Sequence, residues 1–148
     1  MGNVRKLLID ADAFVALNDK GDSNYQKVIK ISEFITISKT TLFTSDPAFG
    51  EAITVISENV GLKKAVEFAE EVLRSNIEII EVDPKLRRDA LEIFKKQRSK
   101  NTRFTDCVNI AILNDKGLKE IFSFDSDYKK SGILRIGVDR PINSTKID

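Results

Sequence analysis

Four acids stand where a carboxylate is costly and therefore informative: Asp10, Glu51, Asp106 and Asp125. Asp10 follows the run Leu7-Leu8-Ile9, and Asp125 follows Ile121-Phe122-Ser123-Phe124. Short apolar runs without alternation suit strands covered on both faces, as in a parallel sheet. The acids behind them then fall at the carboxyl ends of the strands, where open α/β sheets place their ligand sites. Asp106 lies in the first turn of a helix that is apolar nearly all round, through Cys107, Val108, Ile110, Ala111, Ile112 and Leu113, with Asn109 the polar exception. Such a helix is expected to be buried, and its first acid to be enclosed. Glu51 is mid-helix beside Ala48 and Val55, at the border of the apolar stripe. Each acid has a simpler reading. Asp10 or Asp12 can cap the following helix, Asp106 can satisfy a helix start and its dipole, and Glu51 can be a solvated boundary residue. Taken together they suggest more, because carboxylates converging on one low-dielectric site repel each other until protons or a cation neutralise them.

Composition narrows the cation. The chain has no histidine and one cysteine, Cys107. Histidine triads, histidine general bases and ordinary zinc sites are excluded. A metal here is held by oxygen, which points to Mg²⁺ or Mn²⁺. A single cysteine rules out a disulfide framework and fits a reducing compartment. With 148 residues, 41% hydrophobic and 32% charged, the chain reads as one globular domain over 1–148. There is no membrane-length apolar run and no secretory pattern at the start, so a cytoplasmic location is expected. The net charge is only +1, but Lys95, Lys96, Arg98, Lys100 and Arg103 lie close together.

The elements that must position the acids alternate. Strands are expected at Leu7–Ile9, Thr40–Thr44, Ile77–Val82, Ile121–Phe124 and Ile133–Val138. Helices are expected at Ala13–Leu17, after an Asp22 or Ser23 cap with Val28, Ile29, Ile31, Ile35 and Tyr25 inward, and after Ser45-Asp46-Pro47 with Asp46 as cap. Further helices are expected over Leu62–Arg74, from Asp83-Pro84 to about Arg98 with Leu86, Ala90, Ile93 and Phe94 inward, and from Asn101-Thr102 to Leu113, stopped near Gly117. The tail from Asp139 lacks periodicity and is expected to be mobile in part. This pattern predicts an α/β fold of three layers, a mostly parallel five-stranded sheet flanked by helices.

The ordered set Asp10, Glu51, Asp106, Asp125 resembles the PIN-domain nucleases, and especially the single-domain VapC-like toxins of type II toxin–antitoxin pairs. The matching pieces are Leu7-Leu8-Ile9-Asp10-Ala11-Asp12, Thr44-Ser45 through Glu51, Phe104-Thr105-Asp106, and Phe122-Ser123-Phe124-Asp125-Ser126-Asp127. They span about Leu7 to Ile136. The resemblance implies a parallel five-stranded sheet, Mg²⁺ or Mn²⁺ in the acidic cluster, and endonucleolytic cleavage of RNA. Asp10, Glu51, Asp106 and Asp125 would then be the metal-holding and catalytic residues, with Asp12, Thr105, Ser123 and Asp127 orienting them. The cation would activate a water for in-line attack, and a carboxylate such as Glu51 would take its proton. One departure is plain: the family usually follows the first acid with a hydroxyl residue and then Asn or Ser, whereas Ala11 and Asp12 stand here. A homodimer and a cognate antitoxin are the partners the resemblance offers, with no membrane involved.

Two other readings compete. Asp10-Ala11-Asp12 after a strand also resembles the first motif of haloacid-dehalogenase-like phosphatases, although Phe14 departs from it and neither Glu51 nor Asp106 has a place there. A catalytically inactive RNA- or partner-binding PIN module would use the basic run Lys95, Lys96, Arg98, Lys100 and Arg103 equally well, since phosphate contacts need only Lys and Arg. That run is otherwise a solvated face. Phe34, Ile35, Ile37, Phe68 and Leu73 are expected to form an apolar ledge that needs a partner.

Overall fold

The computed structural model describes residues 5–142. Five strands, β1 (Lys6–Ile9), β2 (Thr41–Ser45), β3 (Glu78–Ile80), β4 (Glu120–Phe122) and β5 (Leu134–Arg135), form one sheet in the order β3-β2-β1-β4-β5. All four pairings are parallel, so the expected sheet is parallel throughout. The central strand β1 is buried from Leu7 through Asp10. Helices α1 (Ala11–Asn18), α2 (Tyr25–Ile37), α3 (Asp46–Asn59) and α4 (Leu62–Arg74) cover one face. Helices α5 (Pro84–Lys95), α6 (Phe104–Lys116) and the short α7 (Asp127–Lys130) belong to the other. Alternate β1 residues feed the two cores: Leu7 and Ile9 face the α1–α4 side, and Leu8 faces α6. That is why the run shows no polar alternation.

Element ends differ from expectation in ways the local chemistry explains. The cap of α3 is Ser45, whose hydroxyl accepts the Ala48 N–H at 3.2 Å; Asp46 is already inside the first turn. Helix α5 stops at Lys95, with residues 96–103 as a connecting loop. Phe94, expected inward, is exposed and meets Phe104 edge-on, with ring centroids 5.9 Å apart. The fifth strand is only Leu134–Arg135, because the chain then bends into a turn closed by Arg140 and Gly137. Asp139, placed with the mobile tail, is anchored: its carboxylate takes a bidentate pair from Arg135 at 2.8 and 2.9 Å. The rest of the tail, residues 143–148, lies outside the described residues.

Arg135 also donates to the Phe124 carbonyl at 2.8 Å. The C-terminal turn thus braces the chain leading into Asp125. Gly137 makes that turn possible, since its φ is +78° and a Cβ there would meet Ile31 Cγ1 at 2.6 Å. Gly137→Ala therefore combines a left-handed backbone with a clash in the core, and it should cost about 2–4 kcal/mol. Gly117→Ala, at φ +68° with nothing within 4 Å, should cost only about 1 kcal/mol. Urea unfolding of the two variants tests this; equal losses would contradict the packing argument.

Candidate active site

The carboxyl edge of the sheet ends in a polar knot built around Asp10. Its Oδ1 accepts the Ala11 N–H at 2.8 Å and Asn109 Nδ2 at 3.1 Å. Its Oδ2 accepts the Ser123 hydroxyl at 3.0 Å and the Tyr128 hydroxyl at 2.9 Å. Four donors thus fill the four lone-pair positions of a buried carboxylate. Asp10 is also the cap of α1, so the capping and the site readings of this residue coexist.

The donors tie the edge together. Asn109, fully buried in α6, also donates to the Tyr128 hydroxyl at 2.9 Å and accepts from Ser45 at 2.6 Å. Thr44 bonds the Ile9 carbonyl at 2.7 Å. Tyr128 stands between two acids: its hydroxyl oxygen is 2.9 Å from Asp10 Oδ2 and 3.2 Å from Asp106 Oδ1. A phenol has one proton to give, so only one of these contacts can be a donated bond at a time.

Asp106 is buried at the start of α6, where its Oδ2 accepts the Arg103 N–H at 3.2 Å. It too both caps a helix and lines the cleft. Asp12 is mostly enclosed. Its Oδ2 accepts the Phe124 N–H at 2.9 Å and lies 3.3 Å from the Ser123 hydroxyl, while its Oδ1 is buried without a partner among the described residues. Asp125 follows β4, donates its N–H to Ser123 Oγ at 3.1 Å and accepts the Asp127 N–H at 2.9 Å. Asp127 pairs with Lys130 at 3.2 Å. Glu51 comes from α3 across the edge and meets the Arg103 guanidinium at 3.1 Å.

Asp10, Asp12, Glu51, Asp106, Asp125 and Asp127 all line one cleft of about 590 Å³. Sequence reasoning named each of them. It also named Thr105, which lies outside the cleft lining, and Ser123, which is at the centre of the network. Of the basic run, Arg103 reaches the cleft, Lys95 pairs with Glu92 on its own helix at 2.9 Å, and Lys96 and Arg98 line an adjoining cavity. Lys100 is exposed on the loop. Asn109 and Tyr128 were missed as site residues. The signal for Asn109 was present, the one polar residue within the apolar run Cys107–Leu113. For Tyr128 there was none beyond its place after Asp127.

The cleft is electrostatically strained. Burial, then the charge of Asp12, pushes Asp10 up to about 7. Burial raises Asp12 to about 6. Burial, then the charge of Asp10, raises Asp106 to about 7. The phenol of Tyr128 is raised well above its ordinary value by burial and both acids, and burial raises the Cys107 thiol to about 11. Asp139 goes the other way, held at about 2 by Arg135.

These shifts set a pH profile for the cation-free protein. A carboxyl raised in the folded state binds more protons there than when unfolded, so stability falls as pH rises from about 4 to about 7. Asp139 acts in the opposite sense, and its contribution is lost as pH drops from about 4 towards 2. Thermal unfolding in EDTA should therefore show a maximum near pH 4–5 with a decline on both sides. A rise in melting temperature between pH 5 and 7.5 would contradict the crowding of these acids.

A PIN domain family model matches residues 7–134. The 23S rRNA-specific endonuclease VapC20 of Mycobacterium tuberculosis, represented by two strains, is 22% identical over 130 residues, covering 88% of this chain and 97% of that protein. The crystal structure of M. tuberculosis VapC20, described as a Sarcin-Ricin loop cleaving toxin, superposes with a TM-score of 0.77 at 22% identity, over 86% of this chain and 96% of that one. A likeness of this kind at this identity speaks for the fold. The family match runs from β1 into β5 and so takes in the whole acid-lined edge, where the phosphatase reading has nothing to set against Glu51 and Asp106. This chain belongs to the PIN domain family.

Proposed function

We propose that the protein is a divalent-cation-dependent endoribonuclease and the toxin of a toxin–antitoxin pair. The observation that carries this reading is the gathering of Asp10, Glu51, Asp106 and Asp125 on one cleft at the carboxyl edge of a PIN-family sheet. The relative VapC20, named a 23S rRNA-specific endonuclease and a Sarcin-Ricin loop cleaving toxin, points to RNA as the substrate.

The residues present fit Mg²⁺ or Mn²⁺. Every available donor is a hard oxygen. Asp12 Oδ1 is buried and unpartnered, and the two cations of the cleft, Arg103 and Lys130, pair with Glu51 and Asp127, so that among the described residues no Lys or Arg is paired with Asp10, Asp12 or Asp106. Among the described residues, no group of three or more acids stands close enough to hold an ion as it is. Asp10, Glu51, Asp106 and Asp125 would therefore hold the cation partly through water, as Mg²⁺ commonly allows. Bound there, the cation supplies Lewis-acid assistance to the phosphodiester and to the attacking water.

The chain's own groups do the rest. Asp10, tied by four donors, is the fixed reference of the site. Tyr128 and Asn109 set the separation of Asp10 and Asp106. With no histidine available, a carboxylate takes the proton of the attacking water, and Glu51 is placed for it at the half-exposed rim. Its partner Arg103 is exposed and can turn to an RNA phosphate as the strand enters, leaving Glu51 for the water. Lys96, Arg98 and Lys100, on the same side of the fold, supply further phosphate contacts.

Purified protein should cleave RNA with Mg²⁺ or Mn²⁺ and stop with EDTA. Asp106→Asn should abolish cleavage yet leave the cation-free fold as stable as the parent or more so, because it removes one repelling charge. Cleavage that survives exhaustive chelation would overturn the proposal.

The expected partners take a corrected form. Phe34, Ile35 and Phe68 do not form an open ledge: they are buried under α1–α4. Of the expected ledge, Ile37 on α2 and Leu73 on α4 stay exposed, at 51% and 67%, and Leu73 belongs to a stripe on α4 with Leu62 72% and Val66 46% exposed. Together with Ala69, its 4-3-4 spacing is that of a helix-pairing seam. A second copy packed along this seam is the homodimer we propose, which also brings two basic loops to one assembly. Sedimentation at micromolar concentration should give a dimer that Leu62→Glu with Leu73→Glu converts to monomer. A clean monomer for the parent chain would refute the seam. Growth arrest on overexpression, relieved by a cognate antitoxin, is the matching outcome for the toxin role.

A further inference from the structure

Beside the acid cleft lies a second cavity of about 490 Å³, and Ser99 and Lys130 are common to the two linings. Their chemistry is opposite. The acid cleft carries six carboxylates; the cavity carries none, and has three cations in Lys96, Arg98 and Lys130. Polyanionic RNA meets six carboxylates only where a cation stands between, so the nucleotides next to the cut need a basic wall.

The cavity offers more than charge. Ile93 and Ile110 give it an apolar floor between α5 and α6. Gln97 is spent within the protein: its amide donates to the Ile93 carbonyl and accepts from Thr102. Asn114, one turn beyond Ile110 on α6, is exposed, and its amide has no hydrogen-bond partner among the described residues. It keeps both a donor and an acceptor for a ligand. Lys130 is paired with Asp127, whereas Lys96 and Arg98 make no ion pair among the described residues. An apolar surface, a free amide and these two cations together describe a site for a base and its phosphate. The volume lies within the ~300–1,000 Å³ of small-molecule sites. An acidic peptide would satisfy the cations but leave the apolar floor and the amide unused.

We infer that this cavity is a nucleotide subsite: it takes a nucleotide adjoining the cut phosphodiester, its base against Ile93 and Ile110 with an edge on Asn114, and its phosphate on Lys96 and Arg98. The inference rests on the nuclease reading above and adds to it a residue that selects sequence at the cut.

The test has two arms. In the first, Asp106→Asn protein with Mg²⁺ is titrated with the four 5′-nucleoside monophosphates, with inorganic phosphate and with an acidic peptide, followed by amide NMR. At least one nucleotide should bind roughly tenfold more tightly than phosphate, the size of a base-edge contact, and should shift the Asn114 side-chain signals. Adding Asn114→Leu should remove that advantage, while Lys96→Gln with Arg98→Gln should weaken nucleotide and phosphate alike. In the second arm, cut positions in a mixed-sequence RNA are mapped for the parent chain and Asn114→Leu, and they should redistribute. Nucleotides that bind no better than phosphate, a peptide that shifts the same signals more strongly, or unchanged cut positions would overturn the subsite. In that last case RNA is still cut and the nuclease reading stands, whereas a parent chain that cuts no RNA with Mg²⁺ overturns the nuclease reading itself.

Discussion

The fold turns on keeping one carboxylate out of water. Asp10 sits at the end of the central strand with apolar layers on both sides, where an uncompensated charge is costly. Four donors offset that cost, and each comes from a different part of the chain: the start of α1, the middle of α6, the end of β4 and the short helix α7. Through Asn109 the network reaches Ser45, and so the cap that joins β2 to α3, the helix bearing Glu51. Satisfying Asp10 therefore draws into one place the elements that carry the other acids. A partly satisfied buried network would be worse than an apolar one, which ties the geometry of the cleft to the integrity of the sheet edge.

The same arrangement leaves the cleft poised rather than relaxed. The donors stabilise Asp10 in its ionised form, yet burial and its neighbours still raise it to about 7. Asp106 is raised to a similar value although its Oδ2 caps a helix. An apolar edge would be easier to fold, since converging carboxylates repel each other until protons or a cation neutralise them. Arg135 offsets the crowding only from behind. It pairs with Asp139 and grips the Phe124 carbonyl without entering the cleft.

Division of charge between neighbouring surfaces follows from topology. The acids come from strand ends and helix starts, which a parallel sheet places on one edge, and, with Glu51, from the body of α3. The cations of the second surface come from the loop between α5 and α6, which carries Lys96 and Arg98, and from α7, which carries Lys130.

How much of this was legible beforehand can be traced residue by residue. The β/α alternation, the parallel sheet and the apolar α6 followed from local patterns: unalternating runs at Leu7–Ile9 and Ile121–Phe122, a Gly117 stop, and Pro84 after an Asp83 cap. Asp10, Asp106 and Asp125 stood out because an acid directly after an apolar strand or inside an apolar helix is costly unless it has a task. Other features depended on neighbours distant in sequence. Ser45 rather than Asp46 caps α3 because its hydroxyl is already held by Asn109. Phe94 stays outside because Ala90 and Ile93 already face the core. Phe34 and Phe68 are covered by neighbours distant in sequence, the Arg5 guanidinium over Phe34 and the Phe14 and Phe49 rings against Phe68, which no periodicity in either helix records. Tyr128 is the clearest case: one residue in a four-residue helix, with no pattern of its own, becomes the bridge between Asp10 and Asp106 only when β4 and α6 are brought side by side. Composition and periodicity alone determined the class of fold, the oxygen-only ligand chemistry and the acids at the strand ends, because these depend on residue type and local spacing. Which side chains hold those acids, which apolar residues stay uncovered and where the positive charge lies were decided by tertiary structure, because each depends on contacts between segments up to 118 residues apart.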